Sequence, residues 1–269
     1  VLRQLEVVRP QIEAGLDRPA LQALLAPGAA RNAVDCALLD LEAKRAGRPA
    51  YALAGLARLD PVKTAYTLSL AEPQAMADQA RANARRPMLK LKIGGPDDLD
   101  RVKAVREAAP RSRLIVDANE GLDFDALRRL APELEKLAVM LVEQPLKAGQ
   151  DEALEGYACP VPLCADESLH TRAELELCAR RYACVNIKLD KAGGLTEALA
   201  LTADARRMGL QIMIGCMVAT SLAMAPALIL AQGAQFVDLD GPLLLAKDRE
   251  PGLVYQGSMI EPPSPALWG

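Results

Sequence analysis

An even beat runs through most of this 269-residue chain. Short strand-like apolar runs begin near Val62, Met88, Arg113, Ala138, Pro162, Ala183, Leu210 and Gln235, at intervals of 21 to 27 residues. Between them lie stretches with apolar residues at helical spacing, such as LDRVKAVREAA from Leu99 and LTEALALTADARRMG from Leu195. Eight strands alternating with helices inside roughly 250 residues predict an α/β fold, a parallel TIM-like barrel whose catalytic groups sit at the carboxyl ends of its strands. Five charged residues fall at those ends: Lys92 in MLKLKIGG, Asp117 in RLIVDANEG, Glu143 in VMLVEQP, Asp166 in PLCADES and Lys188 in CVNIKLDK. Burying one such charge is costly unless it is paired, so five of them argue for a shared site. Three carboxylates are hard oxygen ligands of the kind Mg²⁺ requires, and two flanking lysines suit proton transfer beside that ion.

The two ends depart from a plain barrel. Residues 1–58 read as helices, around LRQLEVVRPQIEAGL, ALQALLA and AARNAVDCALLDLEAKRAG, the last stopped by Gly47 and Pro49. Residues 59–242 form the barrel. Residues 243–269, with prolines at 251, 262, 263 and 265, carry no convincing eighth helix and are expected to return toward the helical end. Both ends together predict a smaller second domain, with the active site near its junction with the barrel.

Composition mainly excludes. Net charge is −3, half the residues are hydrophobic (51%), and mean hydropathy is +0.07, values of a globular protein with ample core. Aromatic residues make up only 3%, so base-stacking platforms are lacking and no basic patch stands out; nucleic acid is not an expected partner. The most apolar stretch, LQIMIGCMVATSLAMAPALILA from Leu210, is broken by Gly215, Ser221 and Pro226 and reads as a buried strand plus helix, not a membrane span. No signal peptide or lipidation motif is visible. The six cysteines show no CxxC pair and read as reduced core residues of a cytoplasmic protein.

KLK at 90–92, VDAN at 116–119, VEQP at 142–145, ADES at 165–168, NIKLDKAGGLTEAL at 186–199 and DLDGP at 238–242 together resemble the enolase superfamily. The KxK element is similar to the muconate lactonizing subgroup, and the DxD element after strand eight to the dipeptide epimerases, the bacterial L-Ala-D/L-Glu epimerases among them. The resemblance implies a (β/α)7β barrel with a capping domain and one Mg²⁺ held by Asp117, Glu143 and Asp166. It also implies Lys92 and Lys188 as opposed acid/bases for 1,1-proton transfer at the α-carbon of a dipeptide's C-terminal residue. Asp238 and Asp240 would then receive the substrate's α-ammonium, and a homo-oligomer is expected. It places Val1 within the helical part of the capping domain, past the family's β-meander and its side-chain recognition loop. N-acylamino acid racemase, muconate cycloisomerase and o-succinylbenzoate synthase share the lysines and ligands; the DxD element favours dipeptides.

The residues give their own chemistry. Removing a proton beside a carboxylate places a second charge on an anion, which a bound divalent cation offsets. Lysines on strands two and six stand well apart around the barrel mouth, one for each face of the carbon. Strand alternation puts Lys90 on the face of Lys92, where its like charge is expected to lower the second lysine's pKa and make it a better base. The same alternation sets Asn119 beside Asp117 and Asn186 beside Lys188, as orienting neighbours. Met217 and Ser221 follow strand seven and either line the substrate pocket or pack in the core. Glu120 and Asp190 point away by strand parity, and His170, the only histidine, opens a helix surface. Two rival classes are a Schiff-base aldolase using Lys188, which needs no carboxylate cage, and a binding protein that keeps the barrel without catalysis.

Overall fold

The computed structural model describes residues 1–94 and 98–269; Gly95, the last residue of the MLKLKIGG run, lies outside the described residues. The chain opens with α1 (Leu2–Glu13), α2 (Arg18–Leu24), α3 (Ala29–Ala46) and the short α4 (Ala50–Leu53). Asp17 starts α2 by accepting the Ala20 N–H at 2.8 Å, and Gly47 ends α3 in the left-handed conformation, φ 61°.

Eight parallel strands follow in chain order: β2 (Tyr66–Leu68), β3 (Met88–Lys92), β4 (Arg113–Asp117), β5 (Val139–Glu143), β6 (Leu163–Ala165), β7 (Cys184–Ile187), β8 (Gln211–Ile214) and β9 (Phe236–Val237). The first and last meet where the Ala65 N–H donates to the Val237 carbonyl at 2.8 Å, which curls the sheet on itself. Crossovers carry α5 (Pro73–Ala82), α6 (Leu99–Ala108), α7 (Phe124–Lys136), α8 (Leu175–Arg181), α9 (Leu189–Ala192), α10 (Leu195–Arg207), α11 (Ser221–Met224) and α12 (Ala227–Ala231). This is the expected (β/α)7β barrel. The interior holds one buried apolar layer, Ala65, Met88, Ile115, Leu141, Cys164, Cys184, Met213 and Phe236, which contributes a residue from each strand or its first flank.

Two sequence expectations need correction, and an open one is decided. Val62 does not open the barrel: β1 (Val62–Lys63) pairs antiparallel with β11 (Met259–Ile260), itself joined to β10 (Tyr255–Gln256). A two-residue apolar run carries no record of its partner, and here the distant C-terminal hairpin claims it. After β5 the crossover has only a single 3₁₀ turn, Glu152–Leu154, because Gly149, Gly156, Pro160 and Pro162 crowd the segment. Of the two alternatives for Ser221, pocket wall or core, it takes the buried one. It bonds Asp248 by backbone and hydroxyl, and its Oγ accepts the Leu253 N–H at 2.8 Å, so it anchors the C-terminal segment.

The stretch from Leu210 folds as β8, α11 and α12, and no described helix is long and apolar enough to cross a membrane. The chain's last residues lie against α3, where Trp268 donates Nε1–H to the Cys36 carbonyl at 2.9 Å and the Gly269 N–H reaches Asp40 at 2.6 Å.

Candidate active site

Two residues beyond the apolar layer, toward the carboxyl ends, the inward positions become Thr67, Lys90, Asp117, Glu143, Asp166, Asn186, Gly215 and Asp238. Strand parity forces this: a side chain two positions along a strand points the same way. One further step reaches Lys92, Asn119, Lys188, Met217 and Asp240. The barrel therefore stacks a polar layer on an apolar one. Register ties neighbours together directly, with Lys92 opposite Asp117 and Asp117 opposite Glu143.

The polar layer is a dense charge lattice. Lys90, 3% exposed, sets its ammonium 2.8 Å from Glu143 Oε2, 3.0 Å from Asp117 Oδ2 and 2.8 Å from Asp238 Oδ2. Burial would push the Lys90 pKa down, but Asp238, Glu143 and Asp117 outweigh it and hold it well above lysine's ordinary value. Lys92 donates to the same Asp117 Oδ2 at 2.6 Å and to Asn119 Oδ1 at 2.6 Å. Lys188 donates to Asp166 Oδ2 at 2.6 Å. Burial opposes its charge, yet Asp166 and Glu143 raise its pKa.

The acids divide by their partners. Burial works against the ionised Asp117, but Lys90 and Lys92 bring its carboxyl below the usual range; Lys191 and Lys188 do the same for Asp166. Glu143 is fully buried, and burial pushes it up to about 8 despite Lys90. Its Oε1 accepts Asn186 Nδ2–H at 2.8 Å, while Oε2, beside the Lys90 ammonium, has no aligned hydrogen bond. Gly215 makes room for that asparagine, since a Cβ there would come within 2.5 Å of Asn186 Oδ1.

One expectation about these groups fails. Lys90 does not stand as a spare positive charge beside Lys92, because three carboxylates surround its ammonium. The acid pair after β9 already meets a cation of the protein: Lys90 bonds Asp238 at 2.8 Å, leaving Asp238 Oδ1 buried and without a hydrogen bond. Asp240 accepts the Thr67 N–H at 2.6 Å, and burial together with Asp238 lifts its pKa to about 6. Sequence position alone does not say how far a long side chain reaches across a barrel.

Above the lattice opens a cavity of about 380 Å³, walled by Lys92, Lys188, Asp166, Asp240 and the half-exposed Met217. Asp117 and Glu143, both fully buried, are not among its walls, and neither is Ser221. Cys216, half-buried and packed against the main core, lines it as well.

Two contributors escape a reading of strand ends. Lys191, on α9, donates to Asp166 Oδ1 at 2.5 Å and to the Asn186 carbonyl at 3.2 Å. Its spacing of three from Lys188, one helical turn, is the signal that finds it. Gln144, held at φ 34°, accepts the Asp166 N–H at 2.8 Å and the Ser168 N–H at 3.1 Å through one oxygen.

As the side chains stand, no three carboxylates among the described residues form a metal cage, because the ammoniums hold their oxygens. The donor set nevertheless fits a hard divalent ion. All three candidate donors are carboxylates at or just past the ends of successive strands, and buried Glu143 keeps an oxygen with no hydrogen bond.

Residues 4–55 match the mandelate racemase / muconate lactonizing enzyme N-terminal domain, and residues 74–264 match the enolase C-terminal domain-like family. The chain is 47% identical to an N-acetyl-D-glutamate racemase of a Pseudoalteromonas species, covering 91% of this chain and 78% of that protein. It is 46% identical to the L-Ala-D/L-Glu epimerase of Escherichia coli K12, covering 95% and 80%. Among solved structures, an enolase family member from Agrobacterium tumefaciens with homology to dipeptide epimerases, bound to sodium and L-Ala-L-Glu, superposes with a TM-score of 0.97 at 52% identity, covering 99% and 82%. A dipeptide epimerase from Methylococcus capsulatus complexed with Mg and L-Arg-D-Lys gives a TM-score of 0.84 at 30% identity, covering 95% and 75%.

Proposed function

The chain belongs to the enolase superfamily, in the mandelate racemase / muconate lactonizing enzyme group, and on that premise we propose that it is a dipeptide epimerase acting on L-Ala-D/L-Glu. The observation that carries the proton-transfer chemistry is the pair of lysines on β3 and just past β7, each bonded to a different carboxylate of one buried trio, and the acid pair Asp238 and Asp240 favours a dipeptide. In this reading the helical residues 1–58 cap the barrel of residues 59–242, and residues 243–269 return to the cap.

Asp117, Glu143 and Asp166 hold one Mg²⁺, which when bound offsets the second negative charge that arises as the α-proton leaves. Lys92 and Lys188 both line the cavity and serve opposite faces of the bound α-carbon. One takes the α-proton on its Nζ while the other returns a proton to the opposite face of the carbon, and the glutamyl centre inverts. For the other epimer the roles exchange. Lys90, encircled by acids, stays protonated and balances the buried charge. Asn119 orients Lys92, and Asn186 fixes Glu143. Asp240, with Asp238, faces the substrate's α-ammonium, and Met217 covers the apolar side of the pocket.

Incubating the protein with L-Ala-L-Glu and Mg²⁺ in D₂O tests the reading by NMR. The expected result is loss of the glutamyl α-proton signal and appearance of L-Ala-D-Glu. Unchanged substrate would sink it.

A second reading has one specific support. Because Lys90 already neutralises Asp238, the acid pair does not require a substrate cation, and an N-acyl glutamate with no free ammonium also fits. Comparing kcat/KM for L-Ala-L-Glu and N-acetyl-glutamate separates the two.

A further inference from the structure

Lys188 is the N-cap of α9, a helix of four residues that has no stability of its own. Something outside must hold it. α3 of the cap does so at successive points along the chain behind Lys188. Arg31, 5% exposed, donates Nε–H to the Gly193 carbonyl at 2.9 Å and Nη2–H to the Ala192 carbonyl at 2.7 Å. These carbonyls lie at the end of α9, where helix geometry leaves acceptors without partners. The third nitrogen of the same fork reaches the Leu25 carbonyl at 3.3 Å, so Arg31 ties the turn to the chain that joins α2 and α3. Asn32 donates Nδ2–H to Asp190 at 3.0 Å. Asp35, fully buried, accepts the Thr196 N–H at 2.9 Å through Oδ2. A Cβ on Gly194 would lie 2.5 Å from the Asp35 Cβ, so the carboxylate reaches that backbone only because the residue is glycine.

The turn held in this way carries two ammoniums, Lys188 and Lys191, both placed on Asp166. Lys92, by contrast, rises from β3, which is paired on both sides within the sheet.

We propose that Arg31 and Asp35 of α3 are positioning residues for Lys188, so that the cap aims one of the two bases while the sheet aims the other. The inference rests on the two-lysine reading above. A displacement of about 1 Å in a reacting group costs on the order of a hundredfold in rate, and a four-residue helix released from Arg31 has that freedom. A latch that only joined cap to barrel would not distinguish the two faces of the substrate.

Exchange of the α-proton in D₂O reads each face separately. L-Ala-L-Glu and L-Ala-D-Glu are each followed at short times by NMR with the wild type, Lys188→Ala, Arg31→Met and Arg31→Lys, and melting temperatures are taken in parallel. Lys188→Ala identifies the epimer that Lys188 deprotonates. The expected result is that Arg31→Met slows exchange of that same epimer by at least about tenfold, leaves the other within about twofold, and that Arg31→Lys recovers part of the loss. Equal slowing of both epimers in a folded variant, or no slowing of either, overturns the proposal and leaves the epimerase reading standing. No exchange by the wild type overturns both. If Arg31→Met fails to fold, Asn32→Ala removes one bond to α9 and keeps the buried arginine; selective slowing supports the proposal and equal or absent slowing overturns it.

Discussion

At the scale of single residues, the site is an exercise in matching buried charge. Each of Lys92 and Lys188 donates to an acid at 2.6 Å, and neither replacement is neutral for chemistry that serves two faces. Lys92→Ala or Lys188→Ala is expected to lower epimerization by at least about a thousandfold while each leaves α-proton exchange of one epimer in D₂O. A Lys92→Ala protein that epimerizes at the normal rate removes the two-base mechanism. Asp240 gives the cleaner test of the acid pair, because Asp238 also supports Lys90. Asp240→Asn is expected to cost about 2 kcal/mol in kcat/KM for L-Ala-L-Glu and to leave N-acetyl-glutamate within about twofold. Parallel losses for both substrates would show that Asp240 does not read the ammonium. Strand parity made the positions of these groups legible from the sequence. Their partners were not, since Lys90 bridges to Asp238 across 148 positions of chain and nothing local records that reach.

At the scale of elements, the segment that replaces a helix after β5 serves the site from behind. Asp151, 2% exposed, accepts Ser168 Oγ–H at 2.6 Å and Tyr182 O–H at 2.5 Å on one oxygen, and Arg181 at 2.5 Å on the other. Ser168 in turn accepts from Gln144 at 2.8 Å, the residue that fixes the Asp166 backbone. Burial opposes the Asp151 charge, but Ser168, Tyr182 and Arg181 hold its carboxyl below the ordinary value. A depressed carboxyl pKa contributes stability above the unfolded-state value and loses it as pH falls through the folded one. Asp151→Asn is therefore expected to cost about 3 kcal/mol at pH 7, with the gap to wild type closing as pH falls below about 4, measured by urea unfolding across that range. A gap that stays constant down to pH 3 would show that the charge plays no part. The missing helix was not legible in the periodic beat, because Asp151 is one acid in a polar loop until Tyr182 and Arg181 are brought to it. Of the two readings of Ser221 the buried one holds for the converse reason: it follows β8 as a pocket residue does, but its hydroxyl is claimed by Asp248 from the C-terminal segment.

At the scale of the whole molecule, barrel order and strand ends were readable because closure of eight strands leaves only one face for charge to occupy. The C-terminal hairpin and the contacts of the N-terminal helices were not, since pairing of Val62 with Ile260 and Arg31 with Gly193 spans most of the chain. The same separation of levels governs the response to metal. Lys90, Lys92, Lys188 and Lys191 already pair with the oxygens of Asp117, Glu143 and Asp166, and the apolar layer of the barrel lies beneath them. Stripping divalent ions with EDTA is thus expected to abolish turnover while the far-ultraviolet circular dichroism stays native, because the fold does not depend on the ion for its buried acids. Mg²⁺ then restores turnover and, binding only the folded state, adds about 2.7 kcal/mol at a hundred times its Kd. For a chain of this size that is an increase of about 5 to 10 °C in melting temperature. Full activity after stripping would remove the metal from the mechanism, and collapse of the dichroism would show that the ammonium–carboxylate lattice cannot sustain the barrel alone.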